Sequence, residues 1–348
     1  FSKPVHRYFI VYGKIPVDRL AEGTVQYFLE DGTPLKEGKY RTTDLSKSEQ
    51  GFYVTANGLK SDVFKVSIRE PFAEDAYETI TYPVVFHLIQ DKTKVELGQG
   101  VGADIVNYAF NTIYNCFART AAFSPNGADT KIRFRLAEYD PNGRKMEEKG
   151  INRYSLSTSD LNNLNPEKIK NNPKICWDYK RYLNIWIVEN MGNSVSTPHY
   201  ILNTADLNQI QGVSFEQLSL EEIEKQEYSL TDIGLIYGAR DFAIEDVGYP
   251  TQMGKFFGLL DTENQKEDYC EDTFAYNTYK EPWNTALEGS NSRLKISTDG
   301  LIFYSVNIMD ASSYKNTISM DQVKRIRTIT DNCPHRWAWK SDWAFTGK

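Results

Sequence analysis

The stretch that organises the rest of the chain is residues 245–261, EDVGYPTQMGKFFGLLD. Five of its apolar residues recur at helical spacing: Met253, Phe256, Phe257, Leu259 and Leu260. This pattern predicts a short helix with one apolar side. Pro250 stands where a helix can begin, because proline already has a helical φ. Gly258 stands where it can end, because glycine adopts the left-handed conformation at low cost. Taken alone, the stretch indicates a short buried helix.

Length and composition are those of an ordinary globular protein. The chain has 348 residues, enough for two domains with their own cores, and 25% of them are charged. The net charge of -7 and the lack of a long basic run argue against nucleic-acid binding. No apolar run approaches the ~20 residues of a membrane helix. The sequence opens at Phe1 rather than at a methionine, so we expect that an export segment has been removed.

Cysteines and histidines are few and widely spaced. The cysteines are Cys116, Cys176, Cys270 and Cys333, and the histidines are His6, His87, His199 and His335. Four cysteines allow two disulfides, but the sequence does not give the pairing, and no CxxC or Cys/His cluster indicates a zinc knuckle. A three-histidine metal site requires three of these scattered residues to converge, which is rare.

Residues 1–79 are predicted to form a small all-β domain. Alternating apolar residues at 24–30, 51–56 and 62–68 predict strands, and Asp31-Gly32 and Asn57-Gly58 predict turns. Short strands at regular spacing favour a β-sandwich. The pattern resembles the immunoglobulin-like modules of bacterial surface proteins, where it would serve as a spacer or for adhesion. Residues 70–80, rich in Glu, Pro and Asp, are expected to be a linker.

Residues 80–348 alternate strands with helices and predict an α/β domain. Strands are predicted at 81–89, 131–139, 181–188 and 233–237, a helix at 101–122, a polar helix or loop at 158–172 and an acidic helix at 215–229. One face of the helix at 101–122 is expected to be buried. Its residues are Val101, Ile105, Tyr108, Thr112, Ile113, Cys116 and Phe117.

An ordered set of segments in this part of the chain carries a family resemblance. The set is VVFHLI (84–89), IRFRLAEYDPNG (132–143), GINR (150–153), WDYKRYLNIWIV (177–188), the helix ending at Gly258, DYCEDT (268–273), SVNIMDASS (305–313) and a helix at 320–328 that carries Asp321-Gln322 and Arg325–Arg327. Together they resemble the catalytic domain of the pappalysin family of metzincin zinc peptidases, especially its lipoprotein members in gut Bacteroidetes. The resemblance covers residues 80–330. It implies a metzincin-like zincin fold over 80–348, with Met309 in the Met-turn that underlies the metal site.

The departures from this family fall on the zinc-binding helix, which reads HExxHxxGxxH in metzincins. Aligned on Gly258, its functional positions hold Thr251, Gln252, Lys255 and Asp261, so all three histidines and the glutamate are absent. Threonine is a poor zinc ligand, lysine repels a cation, and glutamine cannot act as a base. The aspartate could ligate zinc, but one carboxylate does not make a site. We therefore expect no catalytic residue and no zinc, and calcium is the one cofactor that stays open.

Smaller departures accompany this loss. Pro250 is expected to shorten or kink the helix relative to the family. Ala311 stands where members usually carry a tyrosine, and Ser297 and Thr298 stand where the resemblance implies a cysteine partner for Cys270.

Lys255 and Asp261 are predicted to pair across the former zinc position, with Thr251 adding a hydrogen bond, because an unpaired buried charge is costly. The alternative is that Lys255 points into a watery cleft and pairs with nothing. Calcium sites occur in the resembled family, and Glu267-Asp268 and Glu271-Asp272 offer carboxylates for one, although loop charge of this kind is usually solvated.

Three functions are consistent with these features. The first is a catalytically inactive pappalysin-like homologue, a pseudoprotease that binds a peptide or protein in the retained cleft. The resemblance implies export to the periplasm or cell surface as a lipoprotein, with membrane attachment only through a removed lipid anchor. The second is a glycan-binding or adhesion protein in which Trp337, Trp339 and Trp343 form a stacking surface, unless that tail packs back on the domain. The third is an active metallopeptidase with a non-standard metal site. Hydrolysis by a serine or cysteine has little support, because no histidine lies in a motif with either, and His199 is expected in a loop.

Overall fold

The computed structural model describes residues 25–36, 40, 42, 44–68, 76–120, 127–243, 248–263, 267–276, 294–296, 302–311 and 315–348. The chain divides into two compact units. One comprises Phe1–Ala76 with Leu294–Ser305, and the other comprises Tyr77–Arg293 with Val306–Lys348.

The smaller unit contains a four-stranded antiparallel sheet. Its strands are β1 (Val25–Leu29), β2 (Glu49–Ala56), β3 (Leu59–Lys60) and β4 (Phe64–Ser67). β2 pairs with the other three, and a separate hairpin joins Leu294–Ile296 to Ile302–Tyr304. Asn57 and Gly58 both have positive φ, at 51° and 78°, which suits the tight turn predicted between β2 and β3. The three predicted strands are confirmed, whereas the immunoglobulin-like sandwich and the boundary at residue 79 stay predictions. The predicted linker lies mostly outside the described residues.

The larger unit is built on a mainly parallel sheet. The described strands of this unit are β5 (Ile80–Asp91), β6 (Ile132–Leu136), β7 (Ile151–Leu156), β8 (Leu183–Val188), β9 (Ser194–Val195), β10 (Tyr200–Leu202), β11 (Glu216–Leu218) and β12 (Gly234–Gly238). All of them except β10 and β11 belong to the main sheet. β5 is central: it pairs in parallel with β6 and then β7 on one side and with β8 on the other. β12 follows β8 in parallel, and β9 closes this edge as an antiparallel strand. A separate parallel pair joins β10 to β11. The almost uninterrupted burial of β5 and β8 explains their continuous apolar sequences. The strands of this unit alternate with helices, so the predicted α/β class is confirmed.

Helices fill the connections between these strands. They are α1 (Lys92–Glu96), α2 (Ala103–Phe117), α3 (Thr158–Asn162), α4 (Pro166–Lys170), α5 (Leu220–Glu224), α6 (Ala239–Ala243), α7 (Tyr249–Phe256), α8 (Met320–Asn332) and α9 (Trp343–Thr346). No helix in the described part of the chain is both long and apolar enough to cross a bilayer.

Two predicted helices need correction. The helix at 101–122 runs only from Ala103 to Phe117, and its predicted face is wrong in the first half, where Tyr108 is 46% exposed. The face was projected from Val101, which lies before the helix and so does not share its periodicity. The buried residues of α2 are Val106, Ala109, Ile113, Cys116 and Phe117.

The acidic helix predicted at 215–229 is also wrong in extent. Residues Glu216–Leu218 form β11, and the helix is the single short α5. Ser219 and Glu222 form a capping box, so α5 begins directly after β11. The acidic residues of 215–229 are therefore divided between a strand and a short helix. The region 158–172 contains α3 and α4, each begun by its own side-chain cap.

His87 lies in the centre of the sheet and is fully buried. Its Nε2 lies 2.9 Å from Asn184 Oδ1, and its Nδ1 lies 2.9 Å from the amide nitrogen of Asn152. Since the Asn152 amide can only donate, Nδ1 accepts and Nε2 carries the proton. The ring stacks on Trp186 at 6.0 Å and meets the edge of Trp177. Burial lowers the pKa of His87 to about 4, so the residue is a neutral structural histidine.

Acid is therefore expected to destabilise the protein through His87. Its pKa of about 4 in the folded state lies below the unfolded value of about 6.5, so its contribution is present above pH 6.5 and is lost as the pH falls toward 4. Between pH 7 and pH 5 the free energy of unfolding should drop by about 2 kcal/mol from this residue. Urea unfolding at both pH values measures the drop.

His87→Gln should remove about that much of the pH dependence while lowering stability at pH 7. His199→Gln, at an exposed histidine, is the matched control for the substitution itself. Equal slopes for the wild-type and His87→Gln proteins would contradict the assignment.

The aromatic tail packs back on the larger unit. Trp343 Nε1 donates to Asp140 O at 3.2 Å, and the Arg181 guanidinium lies 4.2 Å above the Trp343 ring. The amides of Glu138 and Tyr139 donate to Ala344 O at 2.8 and 3.1 Å. Trp337, Trp339 and Trp343 are all half-buried. The tail therefore packs back on the domain, and glycan binding by these rings stays a prediction.

Candidate functional site

The site is organised by α7, whose two ends are glycines with positive φ. Gly248 precedes the helix with φ +62°, Pro250 lies in the first turn, and Gly258 follows the helix with φ +85°. A Cβ at Gly258 would lie 2.8 Å from Ile329 Cγ1 of α8, so this position needs glycine for space as well as for conformation. The predicted start and stop of the helix are confirmed, and its apolar side is buried as expected.

Two buried arginines hold the carboxyl end of α7. Arg336 Nε donates to Phe256 O at 2.7 Å, and Arg325 Nε donates to Gly258 O at 2.5 Å. Arg325 also donates through Nη1 to Gln211 O at 2.7 Å. The last carbonyl groups of a helix have no partner within it and carry partial negative charge, so guanidinium groups satisfy them well. The sequence analysis gave neither arginine this role, because their partners lie 67 and 80 residues away.

The turn at Asn307–Asp310 lies against α7. A Cβ built on Gly254 would come within 2.9 Å of Met309 Sδ, so the methionine sulfur packs directly on the helix backbone. The Asn307 side chain accepts from the Met309 amide at 2.9 Å, and Asp310 accepts from the Asn307 amide at 3.1 Å and from Thr262 Oγ1 at 2.8 Å. These hydrogen bonds fix the conformation of the turn and hold Met309 against α7.

Lys255 and Asp261 form the predicted ion pair. Lys255 Nζ lies 2.9 Å from Asp261 Oδ1 and 3.1 Å from Oδ2. The two side chains are 30% and 25% exposed, so the pair is partly desolvated. This geometry rules out the alternative in which Lys255 points into solvent without a partner.

Thr251 does not join that pair, contrary to the prediction. Its hydroxyl donates to Ile308 O at 2.6 Å and accepts from Lys315 Nζ at 2.9 Å. The carbonyl group of Ile308 is buried against α7 and needs a hydrogen-bond donor, which the Thr251 hydroxyl supplies. Gln252, at the glutamate position of the frame, is half-buried on the same helix.

Lys315 is a member of the site that the sequence analysis missed. Its ammonium also lies 3.4 Å from a Cβ built on Gly248, so it covers the amino-terminal end of α7. Burial lowers the pKa of Lys315; Asp310, Asp261 and Glu263 act in the opposite direction, and Lys255 adds to the lowering. No sequence motif links Lys315 to Thr251, since 64 residues separate them.

These residues do not fit a zinc ion. Zinc in proteins is held by imidazole, thiolate and carboxylate groups. The positions of the frame present instead an ammonium bound to the single carboxylate and a hydroxyl bonded to a second ammonium. Within the described residues, no group of three or more His, Cys, Asp or Glu side chains converges as a metal site would require.

The remaining residues singled out by sequence lie elsewhere. Asp268 accepts from Thr273 Oγ1 at 2.6 Å, and Asp272 accepts from Ser319 Oγ at 2.6 Å and from the Asp321 amide at 3.0 Å at the start of α8. Calcium at these carboxylates stays a prediction. All four cysteines are free thiols. His199 is exposed in the loop before β10, as expected, whereas His6, Ser297 and Thr298 fall outside the described residues.

One edge of the sheet lies beside this site. β9 pairs with β12 through Leu235↔Val195 and Ile236↔Ser194, and it is the last strand on that side. It also packs near α7. Ser194 is exposed, and a Cβ at Gly192 would meet no atom within 4 Å, so the segment before β9 has open space around it.

Comparison with known proteins gives structural likenesses alone. No protein-family model matches the sequence, and no curated protein matches it either. Mature mirolysin of Tannerella forsythia in complex with a cleaved peptide is 18% identical, over 77% of this chain and 97% of that one, with a TM-score of 0.48. Mirolysin in complex with a compound is also 18% identical, over 77% and 98%, with a TM-score of 0.49. A promirolysin mutant of Tannerella forsythia has 18% identity over 78% and 87%, with a TM-score of 0.47. With such identities and TM-scores below 0.5, these likenesses assign no function to this chain.

Proposed function

We propose that this protein is a catalytically inactive relative of metzincin zinc peptidases that binds an extended peptide and does not cleave it. The observation that carries the proposal is the ion pair between Lys255 of α7 and Asp261, which follows the Gly258 stop of that helix. The pair lies at the positions where the resembled family holds its metal. A second ammonium, that of Lys315, bonds to Thr251 at the first position of the same frame. The Lys255 and Lys315 ammonium groups thus supply positive charge at this place, where a metal would otherwise do so. The groups that would bind and activate water are absent.

The surrounding scaffold supports kinship with that family. Gly258 ends the helix in the left-handed conformation, and the Met309 sulfur packs beneath the helix as a Met-turn would. The sheet next to the helix ends in a single antiparallel strand, β9. We infer from these three features that the metzincin-like framework has been retained around an altered centre.

Strand β9 is the element proposed to bind the peptide. An edge strand leaves backbone N–H and C=O groups unpaired on one side, and an extended peptide can add to it by main-chain hydrogen bonds. β9 lies beside α7, so a peptide bound there would pass the Lys255–Asp261 pair.

Export, a lipid anchor and placement at a bacterial cell surface belong to the same proposal and rest on the sequence resemblance.

Elemental analysis and zinc titration by calorimetry are expected to show less than about 0.1 equivalent of zinc and no binding tighter than about 0.1 mM. The Lys255 ammonium and its carboxylate partner exclude a second cation from the frame. Stoichiometric zinc in the purified protein, or cleavage of a casein digest that a chelator abolishes, would overturn the proposal.

Peptide binding is tested with the same casein digest by hydrogen exchange. Residues 192–197 should exchange more slowly in its presence, because strand addition protects the outward amides of β9. Residues 49–56 in the other unit serve as the internal control and should not change. Recovery of the bound peptides at their original masses would show binding without cleavage, whereas unchanged exchange in 192–197 would exclude β9 as the binding edge.

A further inference from the structure

Strand β9 is held at both ends by the side chains of the residues next to it. The strand has two residues, and both pair with β12. Just before it, the Asn193 side-chain oxygen accepts from the Gly238 amide of β12 at 3.0 Å. Just after it, Ser196 Oγ lies 2.7 Å from Asp232 Oδ1. We call Asn193 and Ser196 the edge clamp.

The carboxylate of Asp232 is well placed to hold Ser196. Its other oxygen accepts from the Ser229 amide at 2.7 Å and from the Ser229 hydroxyl at 2.8 Å, so its position is fixed. Ser196 Oγ also lies 2.8 Å from Thr197 O, but an ionised carboxylate is the stronger acceptor. Burial raises the pKa of Asp232, but the hydrogen bonds from the two serines and the Arg336 guanidinium lower it by more. The carboxylate is therefore ionised at neutral pH.

The same turn also connects β9 to α7. Asp232 ends the 3-10 helix Leu230–Asp232, and its carbonyl accepts from Arg336 Nη1. Arg336 Nε in turn donates to Phe256 O at 2.7 Å, at the carboxyl end of α7. Asp232 thus holds the edge strand through its side chain and the helix through its main chain and Arg336.

A strand of two residues gains little from its own ladder. Ordering the backbone costs conformational entropy, and a short edge with few hydrogen bonds opens easily. The edge clamp adds one side-chain hydrogen bond on each side of β9, which opposes this opening. An edge that is already extended before binding spares the incoming peptide the cost of ordering it.

We propose that Asn193 and Ser196 hold β9 in the extended conformation that accepts a peptide strand, and so set the affinity of the peptide-binding edge. This inference rests on the proposed function, because it concerns the same edge. The two are positioning residues: their side chains bond to the protein itself, and the peptide pairs with the main chain of β9. Their effect should therefore be the same for peptides of different sequence.

The first test measures hydrogen exchange of the full chain without ligand. In Asn193→Ala/Ser196→Ala, residues 192–197 should exchange at least about 10-fold faster than in the wild-type protein, because local opening no longer breaks the two side-chain bonds. Exchange in the buried strands β5 and β8 should not change, which shows that the fold is intact. Ser196→Thr keeps the hydroxyl and should exchange like the wild-type protein. Asn163→Ala/Ser341→Ala removes the same two residue types, each with one side-chain bond to the backbone, and is the matched control.

The second test titrates the same proteins with the casein digest and follows the protection of residues 192–197. The double variant should need at least about 10-fold more digest for half-maximal protection, and each single alanine variant about 3-fold more. Ser196→Thr and the control pair should match the wild-type protein. The peptides recovered from the double variant should keep their wild-type relative abundances, because the edge clamp contacts none of their side chains.

Three results would overturn the inference and leave the proposed function standing. One is equal exchange of residues 192–197 in the ligand-free wild-type protein and double variant, which would show that the edge clamp does not order β9. Another is faster exchange with no loss of affinity for the digest. The third is a changed selection of peptides or a failure of Ser196→Thr to restore binding, since either would indicate direct contact with the peptide. If residues 192–197 of the wild-type protein gain no protection from the digest, the proposed function itself is rejected, and the affinity claimed here with it.

Discussion

The variant Thr251→His/Lys255→His/Asp261→His/Lys315→Met is expected to bind one zinc ion with a Kd below about 1 μM, against no stoichiometric binding by the wild-type protein. Positions 251 and 255 are one turn apart on the same helix, so their side chains share a face. Asp261 already reaches the Lys255 side chain at 2.9 Å, which brings position 261 to position 255. If the proposed kinship is right, the scaffold that would hold three imidazoles is in place and only the ligands are missing. Calorimetry with zinc in a weakly coordinating buffer measures the affinity.

Lys315 provides the internal comparison for this variant. The triple histidine variant that keeps Lys315 should bind zinc at least about 10-fold more weakly, because an ammonium that bonds to position 251 would lie close to the metal and repel it. Lys255→His alone supplies one imidazole and should not bind stoichiometrically. If neither multiple variant binds zinc while both remain folded, the frame aligned on Gly258 is not a former metal site, and the proposed kinship loses its main support.

Replacement of Arg336 by alanine is expected to lower the free energy of unfolding by about 4 kcal/mol. Its guanidinium donates to Phe256 O at 2.7 Å and to Asp232 O, and it lies 3.5 Å from the centre of the Phe256 ring. Loss of the side chain leaves two carbonyl groups without their donor and opens a cavity beneath α7. No carboxylate within the described residues forms an ion pair with Arg336, so the loss concerns hydrogen bonds and packing. Urea unfolding at pH 7 measures the change.

Two variants separate the contributions. Arg336→Met keeps most of the volume and should cost about half as much, because only the hydrogen bonds are lost. Arg144→Ala, at an exposed arginine, should change stability by less than about 0.5 kcal/mol. A loss below about 1 kcal/mol for Arg336→Ala would show that water replaces the guanidinium at the end of the helix.

Much of the framework could be predicted from local patterns. The period of apolar residues located β1, β2, β5, β8 and β12, since a strand buried on one or both faces shows it in its own sequence. Pro250 and Gly258 marked the limits of α7 because their backbone preferences are intrinsic. The Lys255–Asp261 pair was also predictable, because the alignment on Gly258 assigned both residues to one place and a buried ammonium requires a partner. The buried face of α2 was harder to predict. The predicted face was counted from Val101, two residues before the helix begins, so it was assigned to the wrong side of the first turns.

The sequence by itself determined the α/β class, the helix with its glycine stop, and the lack of histidine and glutamate at the four positions aligned with the zinc motif of the resembled family. Only the tertiary structure decided which side chains complete the site. It bonded Thr251 to Ile308 and Lys315, and it placed Arg325 and Arg336 at the end of α7. The physical reason is the range of the interactions. Backbone preference and apolar period act over a few neighbouring residues, whereas these contacts join positions 57 or more residues apart and form only when the chain folds.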